Sequence, residues 1–498
     1  MNQRKMGAIL SYASMGINIV VQFAYVPLLF YYLSKAEYGL YQLIGSLISY
    51  MSIMDFGLST AIVRYYSRYS TIEDEKSKEN ILAIFLVIYI GISLLISVVG
   101  VALYFNLERI YGKTLSLGEL HSAKVMFLIL LLNIIVTIPS NIFTAVISAS
   151  ERFIFLKSMA ILQVLLKPVV VITVFMFAAN AIYLVVIDTM FNFCVILCNV
   201  WYCFKKLNLK IKYYFWDSIL IKEVTWFSLF VFLGAVMDQI YWRTSQLILG
   251  AYIGTAAVAV YAIAVQLDMA YMNFSTGISG VFLPKLSAMI ARSTSIAEVD
   301  SLFMRIGRIQ FLIMAFILSA FALYGKEFIL LWVGDGFEES YYIALILMSA
   351  LLIPLIQNLG IAILQSMNKH AFRSQVYVVI ALLNFAFCIP AAKYFGGLGC
   401  AVVTAVALFI GQGIIINIYY HYVIGLNIYA FFIQMLRMSL PVLFLLIVGY
   451  VLERILPNGG LYIFLCKTIF FTLAYISAMW TFAMDSYEKQ LMKGLFRR

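Results

Sequence analysis

Residues 226–250 read WFSLFVFLGAVMDQIYWRTSQLILG, and we expect this stretch and the span after it to contain the functional residues. It is long and apolar enough to cross a bilayer as a helix, which needs about 20 residues. Its middle nevertheless carries four polar or charged side chains, Asp238, Gln239, Arg243 and Gln246. A charge at membrane depth costs roughly 2.5–3.5 kcal/mol on insertion scales, so such residues tend to mark a substrate or ion pathway. The next span repeats the pattern with Gln266, Asp268 and Asn273.

The composition excludes an ordinary soluble domain. Hydrophobic residues make up 64% of the 498 residues, charged residues make up 11%, and the mean hydropathy is +0.99. Soluble domains are about half apolar and about a quarter charged, so we expect an all-α protein that crosses the bilayer many times. The formal net charge of +11 does not indicate nucleic acid as a partner, because the basic residues lie in short loops between apolar segments.

The distribution of basic residues predicts the topology. At about 20 residues per crossing, the sequence accommodates about fourteen transmembrane helices. Most of the 34 lysines and arginines then fall in loops on the same side as both termini. Because cytoplasmic loops carry an excess of Lys and Arg, we predict that both termini are cytoplasmic.

Residues for catalysis, metals and cofactors are not grouped in this sequence. The six cysteines lie in or beside apolar segments without disulfide or zinc spacing, and the three histidines are scattered. No glycine-rich nucleotide loop, nucleophile elbow or pair of catalytic carboxylates is present. We therefore expect no cofactor and no metal, and a protein that is not an enzyme.

Two halves of the chain resemble each other at a nearly constant offset. Tyr41 to Gly57 and Tyr261 to Gly277 have the same spacing, 220 residues apart. Two six-span repeats around a central cavity are a plan found in transporters. We predict an N-terminal lobe (1–204), a basic and aromatic cytoplasmic linker (205–222), a C-terminal lobe (223–424), and two appended spans with a basic tail (425–498). The linker is expected to lie at the membrane interface as an amphipathic segment.

Charged residues within the spans are the first candidates for a site. Lys167, Asp238, Arg243 and Asp268 are expected to face a wet cavity. The alternative is a structural ion pair between neighbouring spans, for example Arg243 with Asp268.

Other charges have less specific interpretations. Asp55 is as compatible with a helix bend as with a functional role. The side chains of Arg64 and Lys467 are expected to reach the headgroups, although Arg64 is also placed to meet an anionic lipid. Asp188 and Arg437 are single charges to which the sequence assigns no role.

Uncharged polar residues add further stripes at helical spacing. Those expected to line a cavity are Asn18, Gln22, Tyr25, Gln163, Gln239, Gln246, Gln266, Asn273 and Asn358. A similar stripe follows one face of the fourth span, from Asn133 to Ser148. For such residues the alternative is hydrogen bonding between neighbouring helices.

Several motifs resemble those of a known family. They are LSKAEYGLY (33–41), MDFGLSTAIVRY (54–65), GTAAVAVYAIAVQL (254–267), FLPKLS (282–287), GKEFILLWVGDGF (325–337), QSMNKH (365–370) and FGGLGCAV (395–402). Together they cover most of the chain. They resemble the bacterial polysaccharide exporters, the O-antigen flippases of lipid-linked oligosaccharide repeat units, within the multidrug/oligosaccharidyl-lipid/polysaccharide exporter superfamily.

This resemblance implies a V-shaped pair of six-helix lobes in the bacterial inner membrane. It implies transport of an undecaprenyl-pyrophosphate-linked glycan to the outer leaflet by alternating access, coupled to an H⁺ or Na⁺ gradient. Partners would be that lipid-linked glycan, membrane lipid and other polysaccharide-assembly proteins. The diphosphate would be bound by Arg243, Lys167 and Arg64, and Asp238, Asp268 and Asp55 would support the cations or bind the coupling ion.

Two other functions are weighed against the flippase. A multidrug exporter of the same superfamily binds cations, and Arg243 and Lys167 would repel them. A membrane-embedded polysaccharide polymerase or ligase is expected to need a large outer loop bearing Arg or His, and the outer loops here are short.

Overall fold

The computed structural model describes residues 3–292, 294–367, 369–455 and 460–496, which form helices joined by short connections. Contacts divide the chain into two compact units, Met1–Ala259 and Val260–Arg498. The first unit contains α1 (Gln3–Tyr32), α2 (Lys35–Ser52), α3 (Leu58–Thr71), α4 (Glu75–Tyr111), α5 (Leu117–Ala149), α6 (Phe153–Phe175), α7 (Ala181–Lys206) and α8 (Ser218–Tyr252).

The division between the units falls within α9 (Thr255–Ala291). The second unit continues with α10 (Ile296–Val333), α11 (Glu338–Ile356), α12 (Leu359–Ser366), α13 (His370–Leu408), α14 (Ile416–Tyr419), α15 (Ile428–Ile455), α16 (Gly460–Ala478) and α17 (Ser486–Phe496). Turns of π-helix flank α14 at Phe409–Ile415 and Tyr420–Ile424, and another follows α16 at Met479–Ala483.

Twelve segments in the described part of the chain are long and apolar enough to cross a membrane. One of them, Ala371–Ile424, has 54 residues and is interrupted by Gly396, whose φ of 62° is left-handed. That is more than twice the length of one crossing, and α8, with 35 residues, is long enough to add another. The protein is therefore an all-α membrane protein with about 12–14 candidate spans.

The second span is broken by its own sequence. A 3₁₀ turn at Ile53–Asp55 and a left-handed Gly57 (φ 72°) separate α2 from α3. The Asp55 carboxylate fixes this break by accepting hydrogen bonds from the Ser59 hydroxyl (2.9 Å), the Tyr89 hydroxyl (2.9 Å) and the Asn141 amide (3.2 Å). These hydrogen bonds support the interpretation that Asp55 stabilises a bend in the second span.

The polar stripe of the fourth span joins two helices. Between α5 and α7, Asn133 donates to Thr189 (3.0 Å), Asn192 donates to Asn133 (2.6 Å) and Thr137 (2.7 Å), and Asn199 donates to Thr144 (3.1 Å). Hydrogen bonds of this kind hold helices together in a bilayer. For this stripe, the structure therefore favours helix packing over cavity lining.

The linker lies between α7 and α8. Residues 208–217 have no regular secondary structure, and Tyr213 and Trp216 are exposed. The buried Asn80 of α4 holds the linker: its amide donates to Phe215 O (2.9 Å) and its oxygen accepts from Tyr214 N (2.8 Å). The Tyr214 hydroxyl donates to Glu79 (2.7 Å), and this hydrogen bond raises the pKa of Tyr214. The linker is therefore tied to α4 by hydrogen bonds, and its position at the membrane interface stays a prediction.

Lys467 was expected to reach the headgroups, and this is wrong. Its side chain is 4% exposed, and Nζ lies 3.4 Å from Glu327 on α10 and 3.6 Å from Glu453 on α15. One Glu327 oxygen and one Glu453 oxygen are buried without a hydrogen-bond partner in the described part of the chain. Three spans of the second unit therefore meet at a buried group of two carboxylates and one ammonium.

The compact units do not coincide with the predicted lobes. α8 packs against α2 and α3, so it belongs to the first unit although it follows the linker. Helix ends nevertheless recur at the predicted offset: α1 and α8 end at Tyr32 and Tyr252, and α2 and α9 begin at Lys35 and Thr255. The boundaries of the lobes stay a prediction.

Gly39 marks a close approach of α2 to the start of α9. A Cβ at this position would lie 1.8 Å from the carbonyl oxygen of Thr255, a backbone atom that cannot turn away. One turn on in α2, the Leu43 side chain packs against Gly250 of α8. Only a glycine fits at position 39 without moving the backbone.

We expect Gly39→Ala to lower the stability of the protein by about 1–3 kcal/mol, the usual cost of overpacking. Thermal unfolding of the purified protein in detergent measures the effect. Gly45→Ala is the matched control on the same helix, because nothing lies within 4 Å of a Cβ there. Equal melting temperatures for the two variants would contradict the close approach.

Candidate functional site

Arg243 lies near tyrosines and not beside the predicted carboxylates. It is half-buried in α8, near Tyr41 and Tyr38 of α2. Among the described residues, no carboxylate forms an ion pair with it. Asp238 is exposed five residues earlier, about 140° away around the helix. It is therefore not the predicted partner of Arg243.

Lys167 has a carboxylate partner that the sequence left unassigned. Its Nζ on α6 lies 2.6 Å from Asp188 Oδ1 on α7, and the Tyr41 hydroxyl donates to Asp188 Oδ2 at 2.7 Å. The Lys167 and Asp188 side chains are 27% and 21% exposed, so the ion pair is partly open. The sequence signal was a single Lys and a single Asp in consecutive spans, but it does not show which faces of the two helices meet.

Together these residues form one polar group inside the first unit, which we call the cation cluster: Lys167, Asp188, Tyr41, Tyr38 and Arg243. Gln42 supports it by donating to the Tyr38 hydroxyl (2.8 Å). Tyr25 on α1 lies near Asp188 and Tyr38, and its buried hydroxyl has no hydrogen-bond partner among the described residues.

The cation cluster suits an anion. Its two cations and one carboxylate sum to a net charge of +1. Arg offers a planar fork of donors that matches phosphate oxygens, and Lys offers a compact point charge. The tyrosine hydroxyls are further donors at the same place. A phosphate group at membrane depth would find here both the charge and the hydrogen bonds that it needs.

The remaining predicted residues of the first unit are dispersed. Asn18, Gln22 and Arg64 are exposed, and the Arg64 guanidinium lies over the Tyr65 ring at 5.7 Å. Gln163, one turn before Lys167, lines an apolar groove of ≈ 380 Å³ between α6 and α7. None of these four is in the cation cluster as the described residues define it.

Gln246 and Gln239 lie on the α8 face that packs against α2. Gln246 is buried and hydrogen-bonded to Ser46, and Thr244 is hydrogen-bonded to Tyr50. The side-chain oxygen of Gln239 is buried without a hydrogen-bond partner in the described part of the chain. For Gln246, the structure favours helix packing.

The second unit contains the other predicted carboxylate, Asp268, on α9. It is fully buried, and neither of its oxygens has a hydrogen-bond partner among the described residues, which leaves the predicted ion pair with Arg243 without support. Asn273 is exposed, Gln266 is half-buried, and Asn358 donates to Ser275 Oγ (3.3 Å). Within the described residues, no group of three His, Cys, Asp or Glu is arranged to hold a metal ion.

Three solved structures with a similar fold are distant from this chain in sequence. A lipid II flippase, MurJ, in an inward closed conformation has a TM-score of 0.71 at 17% identity, over 95% of this chain and 97% of that one. An inward-facing multidrug resistance transporter of the MATE family, from the MOP superfamily, has a TM-score of 0.64 at 12% identity, over 80% and 92%. A MOP superfamily transporter from Pyrococcus furiosus has a TM-score of 0.56 at 12% identity, over 90% and 95%.

Sequence comparison identifies the family. No curated protein has a matching sequence. Residues 5–290, more than half of the chain, match the family described as polysaccharide biosynthesis protein. This span includes every member of the cation cluster. The chain therefore belongs to the polysaccharide biosynthesis protein family, and its fold is that of MurJ and the MATE transporters of the MOP superfamily.

Proposed function

We propose that the protein is a flippase for a lipid-linked oligosaccharide. It carries an undecaprenyl-pyrophosphate-linked repeat unit of O-antigen or another surface polysaccharide across the bacterial inner membrane by alternating access. The observation that carries the proposal is the cation cluster, because a diphosphate needs cations and hydroxyl donors at membrane depth. The family match and the flippase named among the similar structures support it.

Asp268 is the candidate binding group for the coupling ion. A carboxylate buried without hydrogen bonds is very costly as a bare charge, so it holds a proton or a cation. We propose that Asp268 takes up the H⁺ or Na⁺ whose gradient drives transport. Asp268→Asn imitates the neutral form permanently, and it should keep downhill flipping while losing the response to an imposed gradient. The control is Asp335→Asn, which neutralises an exposed carboxylate in the connection after α10.

Deletion of the gene followed by lipid analysis tests the substrate. We expect a lipid-linked repeat unit to accumulate in the inner leaflet and surface polysaccharide to disappear. Purified protein in vesicles should then move a labelled polyprenyl-diphosphate sugar between leaflets. Unchanged lipids together with altered drug tolerance would instead favour the multidrug exporter, which shares this fold.

A further inference from the structure

Asp188 has no use in a simple anion site, yet it lies at the centre of the cation cluster. One of its oxygens contacts the Lys167 ammonium at 2.6 Å and the other accepts from the Tyr41 hydroxyl at 2.7 Å. A phosphate that bound Lys167 and Tyr41 would make the same two contacts, one with a cation and one with a hydroxyl donor. Asp188 therefore occupies the positions that the proposed substrate requires.

We propose that Asp188 is an internal counter-anion that holds Lys167 and Tyr41 in the empty transporter and is displaced from them by the diphosphate of the substrate. This inference rests on the proposed function. The partial exposure of both side chains, 27% for Lys167 and 21% for Asp188, leaves the pair accessible to a competing anion.

The exchange solves two electrostatic problems. An unpaired Lys inside a membrane protein is costly, and the Asp188 carboxylate offsets that cost while no substrate is bound. The same carboxylate competes with the diphosphate for Lys167 and Tyr41, so the substrate is not trapped and leaves on the far side. Arg243, without a carboxylate partner among the described residues, remains available for the first contact with an arriving anion.

The inference differs from a purely orienting role for Asp188. If the carboxylate only positioned Lys167 for the substrate, its removal would weaken anion binding. If it competes with the substrate, its removal strengthens anion binding and slows release. The sign of the change therefore separates the two roles.

The test uses the full-length protein in lipid nanodiscs, with inorganic pyrophosphate as the probe and calorimetry as the readout. We expect Asp188→Asn, which keeps the shape but not the charge, to bind pyrophosphate about tenfold more tightly, which corresponds to ~1.4 kcal/mol. In vesicles the same variant should flip the labelled lipid more slowly. Adding Lys167→Met should remove the gain in affinity.

Glu108→Gln is the matched control, because it breaks an exposed ion pair with Lys124 (2.9 Å) in the same unit. We expect it to leave the affinity for pyrophosphate unchanged. Equal or weaker binding by Asp188→Asn overturns the inference while leaving the proposed function intact. Absence of pyrophosphate binding by both the wild type and Asp188→Asn contradicts the proposed function and the inference together.

A second measurement uses the wild-type protein, so it does not depend on whether a variant folds. In infrared difference spectra of protein labelled with ¹³C-aspartate, pyrophosphate should shift a carboxylate band, because Asp188 loses its contacts with Lys167 and Tyr41. If pyrophosphate binds and no aspartate band shifts, Asp188 is not displaced and the inference is wrong.

Discussion

Arg243→Ala abolishes surface polysaccharide export in cells that contain normal amounts of the inserted protein; this is the expected result for the proposed diphosphate site. Arg243 is half-buried beside Tyr38 and Tyr41, and no described carboxylate neutralises it. In the proposed substrate complex, Arg243 forms a charge pair with the diphosphate. Removing one partner of a buried, hydrogen-bonded charge pair costs roughly 2–5 kcal/mol, which is a loss of more than tenfold in affinity for the substrate. Surface glycan staining measures polysaccharide export, and membrane immunoblots measure the amount of inserted protein.

Arg243→Lys separates charge from geometry. If only the positive charge matters, this variant keeps part of the export. If the two-pronged contact of a guanidinium with phosphate matters, it loses export as Arg243→Ala does. The control is Arg437→Ala, since Arg437 is an exposed arginine of α15 outside the cation cluster. Normal export by Arg243→Ala would show that Arg243 does not bind the substrate.

Much of the architecture could be predicted because it depends on local sequence. Apolar segments of about 20 residues mark crossings whatever their neighbours are. The break at Asp55–Gly57 follows from a glycine with positive φ and a carboxylate beside it. The 220-residue offset between Tyr41 and Tyr261 also separates helix ends such as Tyr32 and Tyr252. Features of this kind require no knowledge of which helices touch.

The candidate site depends on which helices are neighbours, and the sequence predicted these contacts less well than it predicted the spans. The contacts of Asp188 and Lys467 could not be assigned because each joins residues of different helices: Tyr41 is 147 residues from Asp188, and Glu327 is 140 residues from Lys467. The spacing of Gln239, Arg243 and Gln246 places them on one face of a helix, but it does not show which helix covers that face. Charge alone suggested Asp238 or Asp268 as the partner of Arg243, whereas two tyrosines of α2, Tyr38 and Tyr41, lie near it.

Lys467→Met should lower the free energy of unfolding by about 3–5 kcal/mol, the cost of breaking a buried ion pair from one side. Lys467 is the ammonium that contacts both Glu327 and Glu453, and its side chain is 4% exposed. Without it two carboxylates face each other inside the second unit with no positive charge between them. Chemical unfolding of the purified protein in mixed micelles measures the loss.

The added substitution Glu327→Gln should recover part of that loss, because it removes one of the two carboxylates that Lys467→Met leaves unpaired. Lys124→Met is the matched control: its partner Glu108 is 66% exposed, and such surface pairs contribute roughly 0–1 kcal/mol. If Lys467→Met costs no more than Lys124→Met, the ammonium does not stabilise the buried carboxylates. Water or a bound cation would then have to screen them, and the three spans would not depend on Lys467 for their packing.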